Sequence, residues 1–210
     1  MTKAFLLADG TPLPKAVRNR LRRGHFTIAI DGAAELARKE GWRPDLITGD
    51  FDSIRPATLR YFEKQGVEIL PTPDQDYTDL EKALAWCVYM DLRTIVVAQG
   101  TGTRLDHSLG NLSLLRRFHS PRREITFYGE TERVRYVENG ALTLKGRAGR
   151  RLSVIPFPEA TVSSHGLRYE MEGLELGLGV RESISNAAKL AQVKIEVKGR
   201  ALIIEEYRKA

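Results

Sequence analysis

The sequence predicts an α/β fold, a mostly parallel sheet flanked by helices, followed by a smaller all-β sandwich domain. Three observations carry this. Through residue 129, short β-rich runs alternate with helical patterns, the rhythm of strand–helix–strand units. Several of those runs are apolar at every position, as strands are when helices cover both faces of their sheet. Beyond residue 129, helical periodicity gives way to short β-rich runs broken by glycine, proline and polar residues, the texture of a sandwich or barrel.

Taken in order, KAFLLA (3–8), FTIAI (26–30), DLIT (45–48), VEIL (67–70), TIVVA (94–98) and EITFYG (124–129) read as strands. Between them PKAVRNRLRR (14–23), AAELARKEG (33–41), PATLRYFEKQG (56–66), TDLEKALAWCVYM (78–90) and LDHSLGNLSLLRRF (105–118) read as helices. The fourth helix is located by its chemistry: Thr78 caps and Glu81 folds back, a capping box. Leu80, Ala83, Leu84, Cys87 and Val88 then form one apolar stripe. In the fifth helix Leu105, Leu109, Leu112 and Leu115 form another, beginning beside Asp106.

In the second part, RVRYVENGALTLKG (133–146) sets Asn139-Gly140 between two β-rich runs and predicts a hairpin. RLSVIPF (151–157), ATVSS (160–164), LRYEM (167–171), LELGL (174–178), VKIEVKG (193–199) and ALIIEEY (201–207) follow as separate strands. The domain boundary is expected at 129/130, giving domains 1–129 and 130–210.

Bulk properties narrow the class. The 210 residues are 42% hydrophobic and 29% charged, ordinary for a soluble globular protein. No apolar run approaches the roughly 20 residues of a membrane helix. MTKAFLLADG reads as a first strand and not as a signal peptide, so no membrane partner is expected. Cys87 is the lone cysteine, which excludes an internal disulfide and a cysteine-based zinc site and suits a reducing, cytoplasmic setting. The net charge of +6 favours an anionic ligand. The densest basic run, KAVRNRLRRG (15–24), reads as a solvated helix face or as a nucleic-acid contact, and no nucleic-acid motif accompanies it.

The chemistry concentrates where strands end. GDFDSI (49–54) puts Asp50 and Asp52 around one phenylalanine at the end of the third strand, where ligands bind in open α/β sheets. If the chain stays extended there, both carboxylates face one point and Phe51 anchors the turn. Such a pair favours a hard divalent cation with oxygen ligands, Mg²⁺ on phosphate, or is simply a hydrated turn. Asp31-Gly32 ends the second strand, the glycine allowing close backbone approach. PDQDYTDLE (73–81) brings Asp74, Asp76 and Asp79 to a helix N-terminus; capping explains Asp79 and explains Asp76 less well. QGTGTRLDH (99–107) puts Gly100 and Gly102 between strand and helix, then Arg104, Asp106 and His107, a turn able to offer N–H groups and a guanidinium to phosphate. The Walker pattern of P-loop kinases is missing from the sequence. So many carboxylates at one sheet rim cost stability unless a cation and a polyphosphate complete the site, which is the case for a Mg-nucleotide enzyme.

DGAAELARKEGWRPDLITGDFDSI, PTPDQDYTDLEKAL, GTGTRLDHSLGNLSLL and GLRYEMEGLELGLGVRESISNAA together resemble the thiamine pyrophosphokinases in order and spacing over nearly the whole chain. The resemblance implies an ATP-binding catalytic α/β domain, a thiamine-binding C-terminal β-sandwich and a homodimer with thiamine between subunits. It also implies Mg-ATP as donor and AMP as second product. By motif, Asp50, Asp52 and Asp76 correspond to the acids that handle Mg²⁺ and phosphate. Asp31 and Gly32 stand at the DGG-type segment, with Ala33 where glycine is usual. Arg104 and Asp106 stand at the GRxDH-type segment, with Thr103 where glycine is usual. Ser183, Ser185 and Asn186 in RESISNAA match the thiamine-contacting stretch; read alone they are a polar turn before a short helix. Tyr169 is a candidate aromatic face, since Trp42 and Trp86 both lie in the first domain.

The implied reaction is attack of the thiamine hydroxyl on the β-phosphorus of ATP, with AMP leaving in line. Asp79 and Asp106 are both candidate general bases. Two rival readings stand beside it: a nucleotide-sugar transferase using Asp50 and Asp52 as a DxD metal site, and a non-catalytic nucleic-acid-binding module working through the arginines at 18, 20, 22 and 23.

Overall fold

The computed structural model describes residues 2–145 and 148–207. Its chain divides into two compact units, Met1–Glu130 and Thr131–Ala210.

The first unit is built on β1 (Lys3–Leu7), β2 (Phe26–Ile30), β3 (Leu46–Gly49), β4 (Glu68–Pro71), β5 (Thr94–Ala98) and β6 (Glu124–Tyr128). They pair in parallel in the order β6-β5-β1-β2-β3-β4, in registers such as Leu6↔Ile28 and Leu6↔Val97. Every strand but edge strand β4 is buried along most of its length, which explains the unbroken apolar runs. The chain builds outward from β1 through β4, then returns to lay β5 and β6 on the other side of β1. The order therefore reverses between β1 and β5, and a crevice lies at the carboxyl ends of the strands around this switch point.

The connecting helices are α1 (Lys15–Arg22), α2 (Ala33–Glu40), α3 (Pro56–Glu63), α4 (Asp79–Tyr89) and α5 (Leu105–Arg117). Alternation sorts the sheet: Phe5, Leu7, Ala29, Ile47, Val96 and Ala98 join one core with Leu21, Ala33, Ala37 and Phe62 from α1, α2 and α3. Helix α4 touches β2 and β3 through its buried face Leu80, Ala83, Leu84 and Cys87, the stripe the periodicity predicts. Thr78 caps it, its Oγ1 accepting from Glu81 N at 3.3 Å, while the Glu81 carboxylate pairs with Arg117 of α5 at 2.5 Å. The predicted stripe on α5 is only partly right. Leu114 and Leu115 are its buried residues, whereas Leu105 and Leu109 stand exposed, because the first turns of α5 project beside the crevice and away from the core.

The second unit comprises β7 (Glu132–Lys145), β8 (Arg151–His165), β9 (Leu174–Gly177), β10 (Ser183–Ala187) and β11 (Gln192–Glu206). They form an antiparallel sheet ordered β10-β8-β11-β7, with β9 also on β8. Four expectations are corrected here. Asn139-Gly140 makes no hairpin: β7 runs straight through it. Asn139 takes φ 44° and accepts from Gly199 N at 2.9 Å, where β11 carries a bulge between Val197 and Arg200. For the same reason the predicted strand pairs 151–157/160–164 and 193–199/201–207 are each one long strand; the glycine and proline that looked like breaks mark bends within it. Val137, Val154 and Ile203 from one side of these bends share a core with Val162, Val193 and Ile195 from the other, so the long strands enclose it in sandwich fashion. LRYEM is a turn and not a strand, because the Glu170 carboxylate accepts from Gly166 N (2.6 Å), Leu167 N (3.1 Å) and Ser164 Oγ (2.7 Å). Finally, RESISNAA leads into β10 in place of a turn and short helix.

Candidate active site

A cavity of about 610 Å³ opens in the crevice at the carboxyl ends of β1, β2, β3 and β5, within the size range of ligand pockets. Strand topology alone supplies its walls: Asp9 and Gly10 after β1, Asp31 and Gly32 after β2, Asp50, Asp52 and Ser53 after β3. The approach to α4 and the Gly100–Arg104 turn close it, with His107, Ser108 and Asn111 from α5.

Asp31 is the deepest acid, 8% exposed, in a left-handed conformation at φ 44°. Its Oδ1 is buried without a hydrogen-bond partner. Burial raises its pKa first of all; bonds from Gly32 and Ser53 pull the other way, and the charges of Asp52 and Asp79 push it up again. Gly49 permits this packing. It sits at φ 151°, and a Cβ there would lie 2.8 Å from the Asp31 Cβ.

Asp50 is half-buried, its Oδ2 accepting from Gln75 Nε2 at 3.0 Å and its Oδ1 from Asp52 N at 3.2 Å. Those bonds, Gln75 first, hold its carboxyl below the usual range. Asp79 opens α4, with Oδ1 2.7 Å from Nζ of the nearly buried Lys82, an ion pair without hydrogen-bond alignment. Lys82 also donates to Thr72 O (2.6 Å) and Asp74 O (2.9 Å), tying the loop before α4 to the helix.

Carboxylate oxygens of Asp31, Asp50 and Asp79 lie within 4.8 Å of one another. Three such oxygens, one of them buried and unpartnered, suit a hard divalent cation, and their mutual repulsion is what a cation would relieve. Asp52 and Asp76 belong to the rim: both are exposed, Asp52 accepting from Ser53 Oγ at 2.6 Å and Asp76 N donating to Asp74 Oδ1 at 2.8 Å. The expectation of an extended chain at 50–52 fails because Phe51 turns left-handed at φ 65°. Phe51 does anchor the turn, packed against the first core.

Opposite the acids, Gly100 and Gly102 line the cavity, and Asn111 Nδ2 donates to Gly100 O at 2.8 Å. Gly102 takes φ 100°, and a Cβ there would fall 1.8 Å from Thr11 Oγ1, so only glycine lets this turn lie against the β1 loop. Arg104 lines the cavity and grips Asp106 at the start of α5. Sequence reading missed Asp9, although the Asp9-Gly10 pair ending β1 is the same signal as Asp31-Gly32. Asp9 is exposed to the cavity, yet enough protein surrounds it to raise its pKa by desolvation.

A doubly wound sheet with an acidic, glycine-walled crevice at its switch point defines a class, the α/β enzymes built to receive a phosphorylated ligand. Within that class, the chain belongs to the thiamin pyrophosphokinase family. The model of the family's catalytic domain matches residues 17–127, and that of its vitamin B1 binding domain matches residues 141–202. The chain is 31% identical over 204 residues to thiamin pyrophosphokinase 1 of Caenorhabditis elegans, covering 90% of this chain and 82% of that one. It is 28% identical over 163 residues to thiamine pyrophosphokinase of Bacillus subtilis, covering 76% of each. The crystal structure of the Bacillus subtilis enzyme superposes with a TM-score of 0.86 at 25% identity, over 97% of this chain and 98% of that chain.

Proposed function

We propose that this chain transfers the pyrophosphoryl group of ATP to the hydroxyl of thiamine, giving thiamine diphosphate and AMP. The carrying observation is Asp31, a buried carboxylate with an orphan oxygen beside Asp50 and Asp79. Mg²⁺ fits that set: Asp31, Asp50 and Asp79 would hold it, with Asp52 and Asp76 completing the acidic rim. When bound, it would neutralise triphosphate charge and polarise the group to be transferred.

The protein's own part is positioning and electrostatics. Gly100 and Gly102 let the β5 turn pack against Phe127 and Thr11, which shapes the wall that would receive phosphate, and Arg104, which lines the cavity, would offset the charge that grows on the leaving AMP. The hydroxyl oxygen forms a bond to the β-phosphorus as the bond from that phosphorus to the α-bridging oxygen breaks, and the hydroxyl proton is released. Asp106, held at about pKa 2 by Arg104, is a poor acceptor for it. Asp79 stands among the acids that would hold the metal and pairs with Lys82, so the proton is assigned to neither candidate base.

Thiamine is assigned to the second unit through Ser183, Ser185 and Asn186 on β10, and a homodimer with thiamine between subunits is part of the same reading, as is a cytoplasmic setting. No helix among the described residues is long and apolar enough to cross a membrane. Of the basic run 15–24, Arg18 is 5% exposed and paired with Glu40 and Arg22 lies 5.1 Å over the Trp42 ring, while Lys15, Arg20 and Arg23 are exposed.

The test is product analysis. With ATP, thiamine and Mg²⁺, AMP and thiamine diphosphate should appear in equal amounts. A nucleoside diphosphate product, or AMP without thiamine diphosphate, would overturn the assignment.

A further inference from the structure

Gln99, the residue that follows β5, is 2% exposed and left-handed at φ 62°. A long amide side chain in that conformation needs a reason, because the left-handed region is costly for any residue with a Cβ. The reason lies in its partners. Oε1 accepts from Leu13 N at 3.2 Å and from Arg18 Nη1 at 3.1 Å, while Nε2 donates to Ala8 O at 3.2 Å. Its backbone oxygen accepts from Gly10 N at 2.8 Å, and Thr11 N donates to Thr101 O at 3.0 Å. The β1 loop, residues 8–13, is thus stitched to the β5 turn from beneath.

The chemistry is specific to glutamine. One end must accept from two donors and the other must donate to a carbonyl, which neither a carboxylate nor an apolar side chain can do. Arg18 is itself fixed: it donates to Leu13 O and pairs with Glu40 of α2, both interactions largely buried. On the cavity side of this stitch, the Asp9–Gly10 loop and the Gly100–Arg104 turn lie against each other as one continuous wall. That wall lines the crevice at the switch point.

We propose that Gln99 is a positioning residue for the phosphate donor: by fixing the β1 loop against the β5 turn, it holds this wall of the crevice in the shape that the triphosphate requires. This rests on the reading of the crevice as the ATP site. It goes beyond that reading in assigning a substrate-specific role to a residue that touches no reacting atom.

The experiment uses the full chain and two variants, Gln99→Leu and Gln99→Glu, the second keeping length and the acceptor for Arg18. Folding is checked by circular dichroism, amide exchange is read at Gly10 and Thr11, and KM and kcat are measured for each substrate. Gln99→Leu is expected to speed exchange at Gly10 and Thr11. It should raise the ATP KM about tenfold and lower kcat, with the thiamine KM within about twofold of the parent. Gln99→Glu is expected to fall between the two. Unchanged ATP KM in a folded variant, or equal rises for both substrates, would overturn the role of Gln99 while leaving the crevice reading intact. Failure of a non-hydrolysable ATP analogue to protect Gly10 and Gly102 amides in the parent chain would instead remove the crevice reading and the proposal with it. Should Gln99→Leu not fold, Gln99→Glu decides by the same readouts.

Discussion

Arg104 and Asp106 face each other as a two-point fork, Nη2 to Oδ2 at 2.5 Å and Nε to Oδ1 at 3.2 Å. The guanidinium is the first cause of the low Asp106 pKa, about 2, with the His107 N–H second. An acid whose folded pKa is depressed contributes to stability above its unfolded value and loses that contribution as pH falls through the folded one. The pair is therefore complete across any physiological range. Asp106→Asn should release Arg104 for phosphate: a lower ATP KM by a few-fold and kcat within about threefold of the parent. Its pH–rate profile across the neutral range should keep the parent's shape. A kcat loss of about 100-fold or more would make Asp106 the base after all.

Asp31 behaves in the opposite sense. Burial and the neighbouring carboxylates raise its pKa, so the folded state holds its proton more tightly than the unfolded state does. Its contribution to stability falls as pH rises from the unfolded value through the raised one. Asp31→Asn should therefore raise the melting temperature of the metal-free protein at neutral pH, by about 2–4 °C. The gain should shrink towards acid pH. The same variant should lose AMP release by at least about 100-fold and lose the stabilisation that added Mg²⁺ gives the parent. A lower melting temperature at neutral pH would show that Asp31 is not a strained charge.

These two acids also mark the limit of sequence reading. The helices and parallel strands were legible because TIVVA and FTIAI can only be buried strands, and Thr78 with Glu81 announces a helix start. Asp50 was legible as a strand-end acid. Its true neighbours were not, since Asp31 and Asp79 reach it through strand order, which no local spacing encodes. The i, i+2 rule that paired Asp50 with Asp52 assumes extended backbone, and Phe51 breaks it by turning left-handed. Asn139-Gly140 failed for a related reason: the same left-handed preference that makes a hairpin also seats a bulge, and only the partner strand decides.

Gly102 packs the β5 turn against the β1 loop by van der Waals contact. It sits at φ 100°, and a Cβ placed on it would lie 2.6 Å from the Thr11 Cβ, so Gly102→Ala carries backbone strain and a clash together. The expected cost is about 1–3 kcal/mol in stability, with a rise in ATP KM. Adding Thr11→Gly removes the clash and leaves the strain, so the double variant should recover part of the loss. Full additivity of the two changes in denaturant titrations would mean that the residues do not meet.

On β10 the three residues matched to thiamine contact divide by their bonding. Asn186 is 4% exposed; its Oδ1 accepts from Tyr169 N (3.2 Å) and Ala187 N (2.8 Å), and its Nδ2 donates to Tyr169 O at 2.7 Å. It therefore holds the segment of Tyr169, which stands 65% exposed, and in the proposed thiamine site would act through that segment. Asn186→Ala leaves buried backbone groups unpaired and should cost about 1–3 kcal/mol, raising the thiamine KM at the same time. Asn186→Asp keeps the acceptor but loses the donor to Tyr169 O, so it should fall in the same range of destabilisation. Ser183→Ala should change stability by less than about 0.5 kcal/mol and still raise the thiamine KM, with the ATP KM unmoved. Equal effects of Asn186→Ala and Ser183→Ala on melting temperature would contradict this division between support and contact.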